Sequence, residues 1–361
     1  MQLIYLADST LPSQGADAVH VMNMCKAFAE NGLEVKLIAR KSKNEKNIFE
    51  YYGVKKNLFK IHLVERPNIR ILGGFIYGWR VSRIFKNLDK PDFLYARSIH
   101  ALQRVNSKKI PFFFESHWKP TNNLYHFWQQ KWLIRNNLVA FIFISKGLQD
   151  IYKKLFPSFN HKFKVLHDAC NIPNVKINNK TNNRLQVGYI GSFFKGNGYE
   201  LIPEMALKMP EVNFHIVGGK EPILSQLKRD NKLKNLKFHG HIPHKELINI
   251  YRAMDVMLAP YQNDLPHIKW VSPMKIFEYM SYKKAIIASD FPVIREVLNE
   301  ENSILVEPDN IKAWIDAIKK LKAKKIRKQL GENAFKLFLN KYTWNKRAKE
   351  IIEMYEKSRN K

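Results

Sequence analysis

The chain of 361 residues has little cysteine, only Cys25 and Cys170. A secreted scaffold held by disulfides needs more, so the expected setting is a reducing compartment. Long apolar runs are also missing. The longest, LVAFIFI at Leu138–Ile144, falls far short of the ~20 residues that cross a bilayer. The opening MQLIYLA carries no basic leader and reads as a first strand rather than a signal. No Asp-x-Asp pair occurs, so the usual sequence sign of a divalent-cation phosphate site is absent. No Ser-His-Asp or Cys-His set stands in a known catalytic context.

Acidic residues are scarce as well: 32 Asp and Glu against 61 Lys and Arg, a net charge of +29. Such a field draws polyanions, whether nucleic acid, anionic lipid or phosphorylated substrates. The excess is uneven. Met1–Glu50 has six residues of each sign, whereas Tyr51–Lys164 has 21 basic and 5 acidic, together with Trp79, Trp118, Trp128 and Trp132. No nucleic-acid recognition motif accompanies the charge, so nucleic acid is not the expected partner. What the chain does have is core material: 45% hydrophobic residues and 12% aromatics, enough for two folded domains.

Short apolar runs alternate with helical patterns throughout. LIYLA (Leu3–Ala7), VKLIA, KIHLV, FLYAR, PFFFE and AFIFIS read as strands. Between the first two, residues 17–32 place Val21, Met24, Cys25 and Phe28 at helical spacing and stop at Asn-Gly. A polar stretch, HDACNIPNVKINNKTNN, interrupts the pattern at residues 167–183. A second series follows: LQVGYIG, NFHIVGG, LKFHGHI, VMLAPY, AIIAS and SILVEP. Repeated β-α-β units predict parallel sheets covered on both faces, hence an α/β fold with two doubly wound, Rossmann-like domains. The expected domains are residues 1–172, residues 173–340, and a closing helix over 341–361 that crosses back to the first. Ligands of such sheets bind at the carboxyl ends of the strands, so the expected site is a cleft between two such edges.

Three stretches carry candidate chemistry. GSFFKGNGYE (Gly191–Glu200) follows a strand and opens a helix, with glycines that let backbone N–H groups approach an anion and Lys195 to add charge. ESHW (Glu115–Trp118) ends an apolar strand, which puts His117 at the ligand edge. HGHIPH does not place three ligands on one helix face, so no metal is expected there. SPMKIFEYM (Ser272–Met280) looks like a helix start, with Ser272 as cap and Pro273 at the first helical position. Lys275 and Glu278, three apart, share a side of that helix.

With the residues that follow, SPMKIFEYMSYKKAIIASDFPVIREVL resembles the donor-binding segment of the retaining, GT-B-fold glycosyltransferases of family 4, in a Ser-Pro-x-Lys-x-x-Glu variant. VGYIGSFFKGNG, FHIVGG, FHGHIPHKELINIYRAMDVMLAPY and NSILVEPDN continue the likeness in register. PSQGAD and ESH extend it more loosely into the first half. The resemblance implies transfer of a sugar from a nucleotide diphosphate donor to a hydroxyl acceptor, with no metal and no other cofactor. It implies that Glu278 holds the ribose diol and Lys275 the diphosphate. His117, Lys275 and Lys195 would be catalytic. Gly15, Gly191, Ser192, Asn197, Gly198, Ile242, Ser272, Pro273 and Met274 would join Glu278 in binding the donor.

The sequence departs from that family at three places: Trp270 stands where a second Glu is common, and Ser192 and Asn197 stand where basic residues are common. The acceptor implied is a glycan or lipid-linked sugar. IRILGGFIYGWRVSRIFK, with Arg70, Trp79, Arg80, Arg83 and Lys86, has the composition of a segment that docks on an anionic membrane surface from the cytoplasm. The alternatives are a non-catalytic, glycosyltransferase-like protein at a membrane, a nucleic-acid-binding protein, or another sugar-nucleotide enzyme of the same fold.

Overall fold

The computed structural model describes residues 1–44, 46–69, 72–105, 110–119, 137–157, 162–173, 183–243 and 246–359. The chain forms two units, Met1–Asp168 with Trp344–Lys361, and Ala169–Thr343.

The first unit holds seven strands: β1 (Gln2–Leu11), β2 (Glu34–Lys41), β3 (Lys60–Val64), β4 (Phe93–Ala96), β5 (Phe112–Ser116), β6 (Leu138–Phe143) and β7 (Phe163–Val165). Their order is β3-β2-β1-β4-β5-β6-β7, and every pairing is parallel. β4 and β5 are buried along their whole length, the near-continuous apolar strand that a sheet covered on both faces requires. Helix Ala16–Glu30 buries Val21, Met24, Cys25 and Phe28. It ends where Gly32, at φ +85°, turns the chain, and Leu33 N–H then bonds Phe28 O at 3.2 Å. Glycine takes that left-handed conformation without a Cβ penalty. The last helix, Trp344–Arg359, belongs to this unit. It buries Trp344, Arg347, Ala348, Ile351, Ile352 and Tyr355 along one face. Tyr355 stacks on Phe93 with ring centroids 4.5 Å apart.

The second unit has β8 (Gln186–Gly191), β9 (Asn213–Gly218), β10 (Leu236–Gly240), β11 (Val256–Ala259), β12 (Ala285–Ser289) and β13 (Ile304–Val306), ordered β10-β9-β8-β11-β12-β13. All are parallel. Successive strand residues point to opposite faces and fill two cores. Val256, Leu258, Ala285 and Ile287 pack with Trp314 on one side. Met257, Ala259, Ile286 and Ala288 pack with Phe277 and Phe338 on the other. Both units are thus doubly wound α/β folds, with strand order reversing at β1/β4 and at β8/β11.

Two local expectations are corrected. The helix in SPMKIFEYM spans Met274–Ser281, and Pro273 occupies the cap position with ψ 111° and no side-chain cap bond. Pro273 therefore precedes the helix, so Ser272 lies one place too early to cap it. β7, three residues long, is too short to show any alternation, and the sequence did not reveal it. His244, the last histidine of HGHIPH, lies outside the described residues.

Helix Lys324–Lys341 packs on helix Met274–Ser281 and the turn behind it. A Cβ at Gly331 would lie 2.3 Å from Lys283 O. In an exposed helix, Gly→Ala stabilises by about 1 kcal/mol. Here the clash with backbone reverses the sign. Gly331→Ala should lower the urea midpoint of the protein, equivalent to about 1–3 kcal/mol for an overpacked contact, whereas Glu332→Ala, at the neighbouring exposed position, should leave helix packing nearly intact.

Candidate active site

In the second unit, the residues of interest gather where β8 and β11 end. Gly191 closes β8, and the loop after it is shaped by glycine. Gly198 has φ +76°, and a Cβ there would fall 1.6 Å from Pro260 O. No side chain fits, so the loop lies directly on the segment that follows β11. Ser192 and Asn197 tie the loop together: Asn197 Nδ2 donates to Ser192 Oγ at 2.9 Å and Ser192 O at 3.2 Å. They therefore brace the loop internally. Lys195 stands out from it, with its side chain 84% exposed and Nζ 3.5 Å from Asp264.

Lys275, on the first turn of helix Met274–Ser281, reaches back toward β8. Its Nζ lies 4.4 Å from the centre of the Tyr189 ring and 4.9 Å from that of Tyr261. A Cβ on Gly191 would come within 2.8 Å of it. The atom is out of contact with solvent and has no hydrogen-bond partner. The two aromatic faces compensate part of the lost hydration. Burial still pushes the ammonium down to about 7, against a smaller upward pull from Glu278. Glu278, one turn on, accepts from Tyr251 Oη at 2.7 Å, and Tyr251 stacks on Tyr282 at 4.2 Å. One carboxylate oxygen is thereby fixed in direction. Ser272 is 7% exposed, Pro273 and Met274 are half-buried, and Ile242 packs against the core beside this helix. Trp270 is 7% exposed, an apolar filler at the position where the resemblance leads one to expect a carboxylate.

In the first unit, His117 follows β5 and its Nε2 contacts Glu115 Oε1. Glu115 is the centre of a buried network. Its Oε2 receives Arg347 Nη2 at 3.0 Å and the Tyr95 hydroxyl. Its Oε1 also lies 3.0 Å from His20 Nε2, without hydrogen-bond alignment. His20 Nδ1 meets Asp168 Oδ1 at 2.8 Å. Burial alone would raise the Glu115 carboxyl, but Arg347, His20 and His117 hold it well below the usual carboxylate range. Asp168 is lowered in the same way, mainly by its bond with His20. Burial and then Arg97 push His117 down to about 4. His20, His117 and Asp168 present ligand-type atoms within 4.8 Å of one another. The one carboxylate among them, Asp168, is already engaged by His20, and both histidines contact Glu115. Gly15 sits at the N-cap of helix Ala16–Glu30.

Sequence reasoning singled out His117 but not His20, Glu115, Asp168 or Arg347. His20 and Glu115 carry one signal, a charged or imidazole residue inside an otherwise apolar helix or strand pattern (AVHVM and FFFES), whereas Asp168 in HDACN and Arg347 in NKRAKE stand among polar residues and carry none.

The basic aromatic segment forms helix Leu72–Lys86. Tyr77, Val81 and Phe85 face the core, while Leu72 is 56% and Trp79 48% exposed. Arg83 lies 4.2 Å over the Trp79 ring and Arg80 donates to Glu65 O at 2.9 Å. Arg70 lies outside the described residues. Among the described residues, no helix is long and apolar enough to cross a membrane.

Two family models each match part of this chain. Residues 18–172 match the family model described as Glycosyltransferase Family 4, and residues 184–324 match Glycosyl transferases group 1. An uncharacterized glycosyltransferase of Methanocaldococcus jannaschii is 28% identical over 194 residues, covering 50% of this chain and 47% of that one. The chain spans less than half the length of the curated relatives it matches. Among solved structures, sucrose-phosphate synthase from Thermosynechococcus elongatus superposes with a TM-score of 0.75 at 16% identity, covering 99% of this chain and 98% of that one. Anabaena HepE in complex with UDP-glucose gives 0.72 at 14%, covering 99% and 100%. At those identities the likeness is one of fold.

The His117 environment predicts an acid-labile unit. Unfolded, a histidine titrates near 6.5; folded, His117 does so near 4. Between those values the unfolded chain binds more protons, so stability falls as pH drops from about 6.5 toward 4. His215, also pushed down to about 4 by burial, acts in the same window. Glu115 and Asp168 extend the loss below it. Urea midpoints at pH 7.0 and 4.5 should differ, with His117 accounting for about 1–3 kcal/mol. His117→Asn should flatten the slope in that window; an unchanged slope would show that the ring is not held neutral.

Proposed function

We propose that the chain, whose two halves match glycosyltransferase family models, is a glycosyltransferase of the family-4 type that moves a sugar from a nucleoside diphosphate donor to a hydroxyl acceptor. The observation that carries this reading is Lys275 Nζ, a buried ammonium with no hydrogen-bond partner, set beside a glycine loop at the point where the strand order reverses. A doubly wound sheet binds ligands at that point, and an ammonium there without a hydrogen-bond partner selects an anion. The N-terminus of helix Met274–Ser281 adds backbone N–H groups and a favourable dipole.

Glu278 takes the ribose. An ionised carboxylate is acceptor-only and accommodates a cis-diol, and Tyr251 fixes its orientation. Transfer keeps the anomeric configuration: the acceptor oxygen bonds to the anomeric carbon on the face from which the phosphate departs. The bond from that carbon to the phosphate oxygen breaks, and the leaving phosphate takes the acceptor's proton. The demanding change is the negative charge growing on the β-phosphate. Lys275, the helix N-terminus and Lys195 meet it, so no divalent ion is required. His117 contacts the donor sugar and Gly15 allows close approach of the backbone. The acceptor is a glycan or lipid-linked sugar on the cytoplasmic side of a membrane. Supporting this are the exposed Leu72 and Trp79 beside Arg80, Arg83 and Lys86. Apolar groups of that kind enter the headgroup region while the cations hold anionic lipid.

The direct test is a screen of nucleotide sugars read by nucleoside diphosphate release, starting from UDP-glucose, with and without chelator. Release with at least one donor, insensitive to chelator, is expected; a strict Mg²⁺ or Mn²⁺ requirement would contradict the metal-free reading. Glu278→Gln should weaken donor binding by about 1–3 kcal/mol, measured by calorimetry. Lys275→Ala should cut turnover by roughly 10²–10³, more than it weakens binding of the intact donor. Co-sedimentation with liposomes should require anionic lipid, fall with salt, and drop when Arg80, Arg83 and Lys86 are changed to Glu; equal binding to neutral vesicles would exclude this mode of docking.

A further inference from the structure

We infer that Glu115, paired with Arg347 of the last helix, is the positioning residue for His117, and that it fixes the ring with its proton on Nε2 and a lone pair on Nδ1. The inference rests on the functional reading above for one step only, that the partner of Nδ1 is a hydroxyl of the donor sugar.

The argument starts from what each atom can do. Glu115 Oε2 receives Arg347 Nη2 and the Tyr95 hydroxyl, both donors. Arg347 also donates to the carbonyls of Leu166 and His167, at 3.1 Å and 3.0 Å. A carboxylate so placed is ionised and can only accept. His117 Nε2 contacts its other oxygen, Oε1, so Nε2 must carry the hydrogen. The groups around the ring pull both ways, and the balance favours a neutral imidazole. Arg97 repels a second proton, Glu115 and Asp168 attract one, His20 packs edge-on at 5.0 Å, and burial outweighs the attraction. A neutral ring protonated on Nε2 has its lone pair on Nδ1. The side chain is 17% exposed, and no described residue bonds Nδ1. His117 thus offers a ligand an acceptor, not a donor. It suits a sugar hydroxyl and not a phosphate oxygen.

Long-range ¹H–¹⁵N spectra of histidine-labelled protein read the tautomer with no donor present, with His117 assigned by loss of its signals in His117→Asn. The Nε2–H tautomer at pH 7 is expected. An Nδ1–H tautomer, or an imidazolium, overturns the inference. In Glu115→Gln the amide can turn its NH₂ to Nε2, so a mixture of tautomers is expected; retention of pure Nε2–H would show that Glu115 does not set it. Should that variant not fold, the wild-type spectrum still decides.

Saturating UDP-glucose should then move the Nδ1 resonance upfield, as an accepted hydrogen bond does. If UDP-glucose binds and Nδ1 does not move, the hydroxyl assignment fails. If neither UDP-glucose nor another nucleotide sugar binds, the functional reading fails while the tautomer result stands. In turnover, His117→Asn keeps an amide oxygen near the place of Nδ1, whereas His117→Gln does not. His117→Gln should raise the donor KM about tenfold more than His117→Asn, and equal KM values would count against the acceptor role.

Discussion

A parallel strand buried on both faces has room for polar groups only at its ends, and this constraint decides on which edge of each sheet the candidate site residues gather. β4 is apolar along its length and β5 over its first three residues, and chemistry begins at Arg97, just past β4, and at Glu115 to His117, at the end of β5. β8 and β11 behave alike: the glycine loop follows the first and Pro260 to Pro273 follows the second. Strand order reverses at β8/β11, so crossover helices leave in opposite directions and the strand ends stay open to a ligand.

The two units treat buried charge in opposite ways. In the first, Arg347 pairs with Glu115 at 3.0 Å, and His20 lies within 3.0 Å of both Glu115 and Asp168. Such a network adds little net stability over an apolar core, but loss of any one member leaves a buried charge exposed to the full cost of desolvation. It gives definite geometry, and it draws together segments that lie far apart in the chain: β5, residues 166–168 and the last helix. In the second unit, Lys275 is left without a partner and is held only by the faces of Tyr189 and Tyr261. The unliganded protein carries the cost of that arrangement. A bound anion would remove it, so stability is exchanged for affinity at this one position.

Much of the fold is legible in the sequence because local signals agree with one another. The helix that ends at Asn31 is announced by apolar spacing and by Asn-Gly, and β12 is read in full from AIIAS. Lys275 and Glu278 are visible as a pair because they share a helix face. What the sequence hides is longer in range. His20 and Asp168 are 148 residues apart and Glu115 and Arg347 are 232 apart, and a charged residue read alone is assigned to solvent. The burial of Lys275 Nζ depends on Tyr189 in β8 and Tyr261 after β11, neither of which marks itself as a site residue. The start of helix Met274–Ser281 shows the opposite error, where a good capping residue, Ser272, is one position from where the backbone needs it.

The central claim is that Lys275 is kept unpaired for a diphosphate. Its ammonium titrates near 7 in the free protein, so at pH 8 it is mostly neutral. A diphosphate beside it would restore the charge and draw a proton from the buffer, whereas the phosphates of UDP are already ionised and release none. Calorimetric titration with UDP at pH 8 in two buffers of different ionisation enthalpy measures that proton directly. The account predicts uptake of about one proton per UDP bound, lost in Lys275→Met. Tight UDP binding with no uptake in the unaltered protein would contradict it.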